Sequence, residues 1–147
     1  MSLQGKRVLL VCAPYYPDIV NAMIEGSKPV LDAAGVGHHR IDVPGVFELP
    51  MAVKMLSQQT DKYDGFIAFG CVIRGETDHY DHICREASRA LMDLTVVDGL
   101  ALGFGVLTCE TVQQAIVRAD PKQKNKGAEA AKACVAMMAL KLGGGTA

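Results

Sequence analysis

The chain has 147 residues, half of them apolar, and a formal net charge of −1 at pH 7. This length suits a single domain that spans residues 1–147. The near-neutral charge argues against a nucleic-acid binder or a protein of the membrane surface, and no apolar run approaches the ~20 residues of a membrane span. The N-terminus lacks the apolar segment of a signal peptide, so we expect a cytoplasmic protein.

Four β-rich apolar segments alternate with helical segments along the chain. Strands are predicted over about 7–13, 38–43, 63–71 and 100–108. Helices are predicted over about 18–34, 50–59, 80–97, 108–119 and 127–142, with prolines at several starts and glycines at several ends. This alternation predicts an α/β fold, a three-layer sandwich in which helices cover both faces of a four-stranded parallel sheet.

Candidate site residues follow from this topology, because parallel α/β sheets bind ligands at the carboxyl ends of their strands. The residues placed at those ends are Tyr15, Tyr16, Val46, Phe47, Glu48, Cys71, Val72, Ile73, Arg74, Gly75, Glu76, Thr77, His79 and Thr108, and Phe104 lies inside the fourth strand. Aromatic rings, a carboxylate and a histidine should therefore collect at one edge of the sheet.

The segment from Gly70 to His79 is the most informative of these. It is predicted to leave a buried strand at Gly70, pass through a turn that contains Gly75, and open a helix at Tyr80. Free backbone N–H groups and the positive end of the helix dipole favour an anion at such a place. Histidine side chains titrate near neutral pH and suit acid–base catalysis. The segment therefore predicts an anion cradle with His79 as a proton shuttle.

Several of these residues also have a purely structural interpretation. Glu48 could cap the following helix, Phe104 could belong to the core, and His79 could simply fill the start of its helix. The glycines on either side of Phe104 indicate that some group approaches the strand closely. His79 and His82 are three residues apart on one helix, but no third ligand accompanies them, so no metal site is predicted.

Positive charge is concentrated late in the chain. Arg118 and the lysines Lys122, Lys124 and Lys126 could add positive charge to the site, although such a lysine group is also typical of a solvated loop. The five cysteines are widely spaced, odd in number and without a C-x-x-C pair, which predicts reduced structural thiols. Cys71 differs from the others because it lies at the rim of the predicted site.

Four sequence blocks, at 43–50, 70–81, 103–108 and 125–131, occur in the order and spacing of a known enzyme family. Over residues 7–140 the chain resembles the 6,7-dimethyl-8-ribityllumazine synthases, which catalyse the penultimate step of riboflavin synthesis. The resemblance implies a flavodoxin-like sandwich. It also implies the condensation of 5-amino-6-(D-ribitylamino)uracil with 3,4-dihydroxy-2-butanone 4-phosphate, with release of phosphate and water and with no cofactor or metal.

The resemblance also implies roles for individual residues. His79 is the implied proton donor and acceptor, and the backbone of Glu76 and Thr77 would take the phosphate with Arg118 as its charged partner. The residues implied to hold the pyrimidine and ribityl groups are Tyr15, Val46, Phe47, Glu48, Cys71, Val72 and Ile73. Tyr15 stands where the family more often has phenylalanine.

A further implication of the resemblance is an active site between subunits. Phe104, Arg118 and Lys126 would come from the adjacent subunit of a homo-pentamer, with Phe104 as a lid over the pyrimidine. Some members of the family assemble sixty subunits into a shell, and the short segment before the first strand leaves that choice open. Two alternatives to an enzyme remain. One is a diverged paralogue that binds flavin or lumazine with little turnover, and the other is a shell protein whose assembly is its function.

Overall fold

The computed structural model describes residues 3–75 and 79–143. Its four strands form one parallel sheet in the order β2-β1-β3-β4. The strands are β1 (Arg7–Cys12), β2 (Gly37–Asp42), β3 (Gly65–Ile73) and β4 (Leu102–Cys109). The helices are α1 (Pro17–Ala33), α2 (Leu49–Gln59), α3 (His79–Val96), α4 (Val112–Ala119) and α5 (Lys126–Lys141), and a 3₁₀ turn over Val46–Glu48 precedes α2.

The helices cover both faces of the sheet, and each face has its own apolar core. Leu10 of β1 packs in the core beneath α1, α4 and α5, whereas its neighbour Leu9 packs in the core beneath α2 and α3. Successive strand residues point to opposite faces, so a strand between two helical layers must be apolar throughout. The predicted α/β class, with four parallel strands in a three-layer sandwich, is confirmed.

The end of β3 differs from the prediction. The strand continues to Ile73, two residues beyond the predicted end at residue 71, so Gly70 lies inside the strand and not at the turn. A Cβ atom at Gly70 would lie 2.7 Å from a methyl carbon of Val46 in the 3₁₀ turn. The glycine therefore allows this turn to pack against the strand, and the chain leaves the strand only at Arg74.

The glycines that flank Phe104 have a similar explanation. A Cβ atom at Gly103 would clash with the carbonyl oxygen of Ala130 in α5, and one at Gly105 would lie 2.5 Å from the ring of Phe69. The close approach predicted from these glycines is therefore the approach of α5 and Phe69. Phe104 itself is 46% exposed, so the interpretation of Phe104 as a core residue is wrong.

The cysteines are free thiols, as predicted. Four are buried in the apolar layers, and Cys84 on α3 is half-buried. Burial raises the pKa of Cys12, Cys71 and Cys134 to about 12. Within the part of the chain that the structure describes, no helix has the length and apolar character needed to cross a membrane.

These buried thiols predict a loss of stability in alkaline solution. An unfolded thiol ionises near pH ~8.5, whereas the buried thiols of the folded chain keep their protons to a higher pH. The free energy of unfolding should therefore keep its full value below about pH 8 and decrease as the pH rises from about 9 towards 12. Urea denaturation at a series of pH values measures this slope. In the double variant Cys12→Ala, Cys134→Ala the free energy of unfolding should decrease less steeply with pH. An unchanged slope would show that the buried thiols do not cause the alkaline loss of stability.

Candidate active site

A cleft of about 660 Å³ opens at the carboxyl ends of β1 and β3, next to the 3₁₀ turn and the start of α3. We call it the first cleft. Its lining residues are Tyr15, Tyr16, Gly45, Val46, Phe47, Glu48, Cys71, Val72, Ile73, His79, His82 and Ile83. A mostly apolar cleft of this size, with a few polar groups, is typical of a small-molecule site.

The aromatic groups of the first cleft come from two separate turns. Tyr15 follows β1, is 75% exposed, and meets Tyr16 edge to face with 5.0 Å between the ring centroids. Phe47 is held out by the 3₁₀ turn and stacks against His82 of α3 at 6.4 Å. Exposed rings at the mouth of a cleft give a flat heterocycle surfaces on which to stack.

Glu48 lies in the same cleft and does not cap α2. It occupies the position before Leu49, but its side chain makes no capping hydrogen bond. The interpretation of Glu48 as a helix cap is therefore wrong. Glu48 lines the cleft, where its carboxylate can accept hydrogen bonds. Val46, by contrast, is buried and anchors the turn on Gly70.

His79 is the first residue of α3, one position before the predicted start at Tyr80, and its exposed side chain lines the first cleft. His82 and Ile83 line the cleft one turn later. Sequence analysis considered His82 only as a metal ligand and did not single out Ile83. The three- and four-residue spacing from His79 is the signal that places all three residues on one face of a helix.

Cys71 contributes shape to the cleft. Its side chain is 4% exposed, and burial raises the pKa of the thiol to about 12, with the nearby Cys109 adding to the rise. The thiolate is the nucleophilic form of cysteine. At neutral pH Cys71 is therefore an inert apolar wall, and its predicted place at the rim of the site carries no covalent chemistry.

A second cleft of about 480 Å³ runs along β4, at the edge of the sheet, beside α4 and α5. Its lining residues are Leu102, Phe104, Gly105, Val106, Leu107, Thr108, Arg118, Lys126, Glu129, Ala130 and Ala133. The Nη1 group of Arg118 donates to the carbonyl oxygen of Gln114 at 3.2 Å, and the Lys126 ammonium pairs with Glu129 at 2.8 Å. Sequence analysis missed Glu129, although its three-residue spacing from Lys126 indicates a pair on one helix face.

The structure thus divides the predicted site residues between two places. Tyr15, Glu48 and His79 line the first cleft with their neighbours, whereas Phe104, Arg118 and Lys126 line the second. Among the described residues, none lines both clefts. Within one chain, Phe104 therefore lies apart from Tyr15, Glu48 and His79.

The remaining predicted groups lie outside both clefts. Lys122 and Lys124 are exposed in the loop before α5, which agrees with the interpretation of this lysine group as a solvated loop. Glu76 and Thr77, the predicted phosphate-binding residues, lie outside the described residues. Over residues 3–75 and 79–143, no three histidine, cysteine or acidic side chains gather as metal ligands would.

Comparison with known proteins identifies the family. Residues 5–141 match the family described as 6,7-dimethyl-8-ribityllumazine synthase. The chain is 46% identical over 141 residues to a protein of that name from Paramagnetospirillum magneticum, covering 92% of this chain and 94% of the relative. It is 47% identical over 135 residues to one from Zymomonas mobilis, covering 92% and 96%. It is 46% identical over 144 residues to 6,7-dimethyl-8-ribityllumazine synthase 1 of Rhizobium meliloti, covering 95% and 94%. The chain belongs to the 6,7-dimethyl-8-ribityllumazine synthase family.

Proposed function

We propose that this protein makes 6,7-dimethyl-8-ribityllumazine at active sites shared by adjacent subunits of a homo-oligomer. Membership of the family makes it a transferase of riboflavin biosynthesis. The division of the site residues between two clefts supports a shared site. Five free cysteines suit a reducing compartment, which supports a place in the cytoplasm.

The charges of the two clefts complement one another. One substrate carries a phosphate, and a phosphate in a partly buried site is best held by a guanidinium or ammonium group. The described residues that line the first cleft include no lysine or arginine. The second cleft has Arg118 and Lys126, but it has no histidine among its described lining residues. The first cleft therefore supplies the histidine for proton transfer, and the second supplies the positive charge for the phosphate.

Apolar residues exposed along α2, α3, β4, α4 and α5 support association between subunits. Exposed apolar residues of α2, α3 and the turn after α3 are Met51, Met55, Met92, Val96 and Val97, and those on or near the β4 edge are Phe104, Val112, Ile116, Met137 and Leu140. A monomer rarely exposes such groups together. Phe104 of the second group lines the second cleft, so burying Phe104 against a neighbour would also bring Arg118 to that neighbour. We take the number of subunits to be five, as the family resemblance implies, and pentamers are the unit from which a shell would be built.

The proposed reaction assigns a task to each half-site. Tyr15 and Phe47 stack on the pyrimidine, Val46, Val72 and Ile73 enclose it, and Phe104 of the adjacent subunit covers it. Glu48 accepts hydrogen bonds from the ribityl side, where Cys71 supplies an apolar wall. Arg118 of the adjacent subunit binds the phosphate together with the backbone of Glu76 and Thr77, and Lys126 stands beside it.

His79 transfers the protons. The amine of the uracil attacks the ketone of the butanone, and water leaves as the imine forms. Phosphate is then eliminated, and the ring closes with loss of a second water. His79 takes up and returns protons during these steps, and no cofactor is needed. Holding the two substrates in register supplies much of the rate, because it replaces a bimolecular encounter with a step inside one complex.

The test combines an assay with a mass measurement. The purified protein with both substrates at neutral pH should form lumazine well above a blank without protein, which is needed because the condensation also proceeds uncatalysed. Light scattering should give about five times the subunit mass of 15.7 kDa. A rate equal to the blank would refute the activity, and a fully active single subunit would refute the shared site.

A further inference from the structure

Arg74 connects three elements at the edge of the first cleft. Its backbone N–H donates to the carbonyl oxygen of Cys109 at 2.9 Å, which extends the pairing of β3 with β4. Its Nε group pairs with Glu110 at 2.9 Å, and its Nη2 group pairs with Asp81 at 3.3 Å. The guanidinium carbon also lies 4.5 Å from the centroid of the Tyr80 ring. One side chain thus joins the first turn of α3 to the residue that follows β4.

Tyr80 adds a further link to β4. Burial raises the pKa of the Tyr80 phenol, and Cys84 adds to this rise, whereas a hydrogen bond with Thr108 acts in the opposite direction. Arg74 therefore stacks on a ring whose hydroxyl is itself attached to the last residues of β4. We call the group of Arg74, Tyr80, Asp81 and Glu110 the Arg74 clamp.

The clamp lies where core packing holds α3 only weakly, through half-buried side chains such as Ile83. Among the described residues of the helix, the first buried one is Ala87, two turns after His79. The ends of helices fray unless something holds them. Exposed ion pairs contribute little to global stability. Several of them on a single guanidinium can nevertheless hold the first turn of a helix in one place against the sheet.

We propose that Arg74 is a positioning residue that holds the first turn of α3, and with it His79, against the carboxyl ends of β3 and β4. The inference rests on the proposed role of His79 in proton transfer. Arg74 acts through the clamp and not by contact with the reacting atoms. A displacement of about 1 Å at a catalytic group can lower a rate by up to about 10²-fold, so a loosened first turn reduces kcat.

The test compares Arg74→Gln with Arg89→Gln. Arg89 lies on α3 and also pairs with two carboxylates, Glu86 and Asp93, each at 2.9 Å, but both partners belong to its own helix. We expect Arg74→Gln to lower kcat about tenfold with the KM for the uracil changed less than about twofold. Arg74→Lys should be intermediate, because lysine keeps the charge and loses the planar fork. Arg89→Gln should retain the wild-type kcat.

Hydrogen–deuterium exchange gives a readout besides activity. The backbone amides of residues 83–86, which donate to the carbonyls of the first turn of α3, should exchange faster in Arg74→Gln and at the wild-type rate in Arg89→Gln. Equal kcat values for the two variants, or unchanged exchange in Arg74→Gln, would overturn the inference. Without activity in the wild-type protein the proposed function fails instead, and the exchange comparison alone then decides whether the clamp holds α3.

Discussion

Turnover should fall by about 10²–10⁴-fold when His79 is replaced by alanine, because this is the usual contribution of a positioned acid–base group. His79 begins α3 and faces a cleft whose other described polar side chains are those of Tyr15, Tyr16, Glu48 and His82, besides the inert thiol of Cys71. Substrate binding should change much less, since the stacking surfaces are elsewhere in the cleft. Steady-state kinetics with both substrates at neutral pH measures the two effects separately.

The matched control is His82→Ala, which removes an imidazole from the same helix and the same cleft. His82 stacks on Phe47, so its loss should raise the KM for the uracil and leave most of kcat intact. If His79→Ala keeps the full rate, His79 has no part in the mechanism. If the two variants lose kcat equally, the effect belongs to the cleft as a whole.

Activity should return when two inactive variants are assembled together. Arg118→Ala should weaken binding of the phosphate substrate about tenfold or more, because the phosphate loses a charge-assisted partner. His79→Ala damages the first cleft, and Arg118→Ala damages the second. A mixed oligomer contains sites in which the first cleft comes from the Arg118→Ala chain and the second from the His79→Ala chain. With equal amounts and random neighbours, about a quarter of the sites are intact.

Coexpression of the two variants with different tags, followed by sequential purification, provides the mixed oligomer. The matched control is the pair His79→Ala and Glu48→Gln, because both changes lie in the first cleft and no mixture restores it. Its rate should remain the average of the two parents. An equally low rate for the His79→Ala and Arg118→Ala mixture would contradict the sharing of sites between subunits.

The sheet could be predicted because its strands are buried on both faces. Residues 8–12 are all buried, and such a run has few alternatives in a chain that alternates strands with helices. Glycine was harder to interpret. Gly70 resembles a turn residue in the sequence, but it lies within β3 because Val46 packs where its side chain would be. Whether a glycine bends a strand or admits a neighbour depends on tertiary contacts.

The composition of the candidate site was predicted better than its geometry. His79, Glu48 and Phe47 follow from the rule on strand ends, and they do line one cleft. Phe104 and Arg118 could not be placed in the same way, because the edge of β4 and the outer surface of α4 are defined by the fold and not by local pattern. Arg74 lies at a predicted strand end, but its partners could not be predicted, since Asp81 and Glu110 lie 7 and 36 positions away.

Because the two clefts are separate, the shape of an assembly also determines how many complete active sites it has per chain. If neighbours join head to tail, an open row of subunits leaves one first cleft and one second cleft idle at its ends, whereas a closed ring leaves none. Short open rows are therefore the least productive per chain, and closure brings every chain into use. Catalysis would then select for a ring even where stability alone does not require it, and dilution that opens the ring would lower the rate before any subunit unfolds.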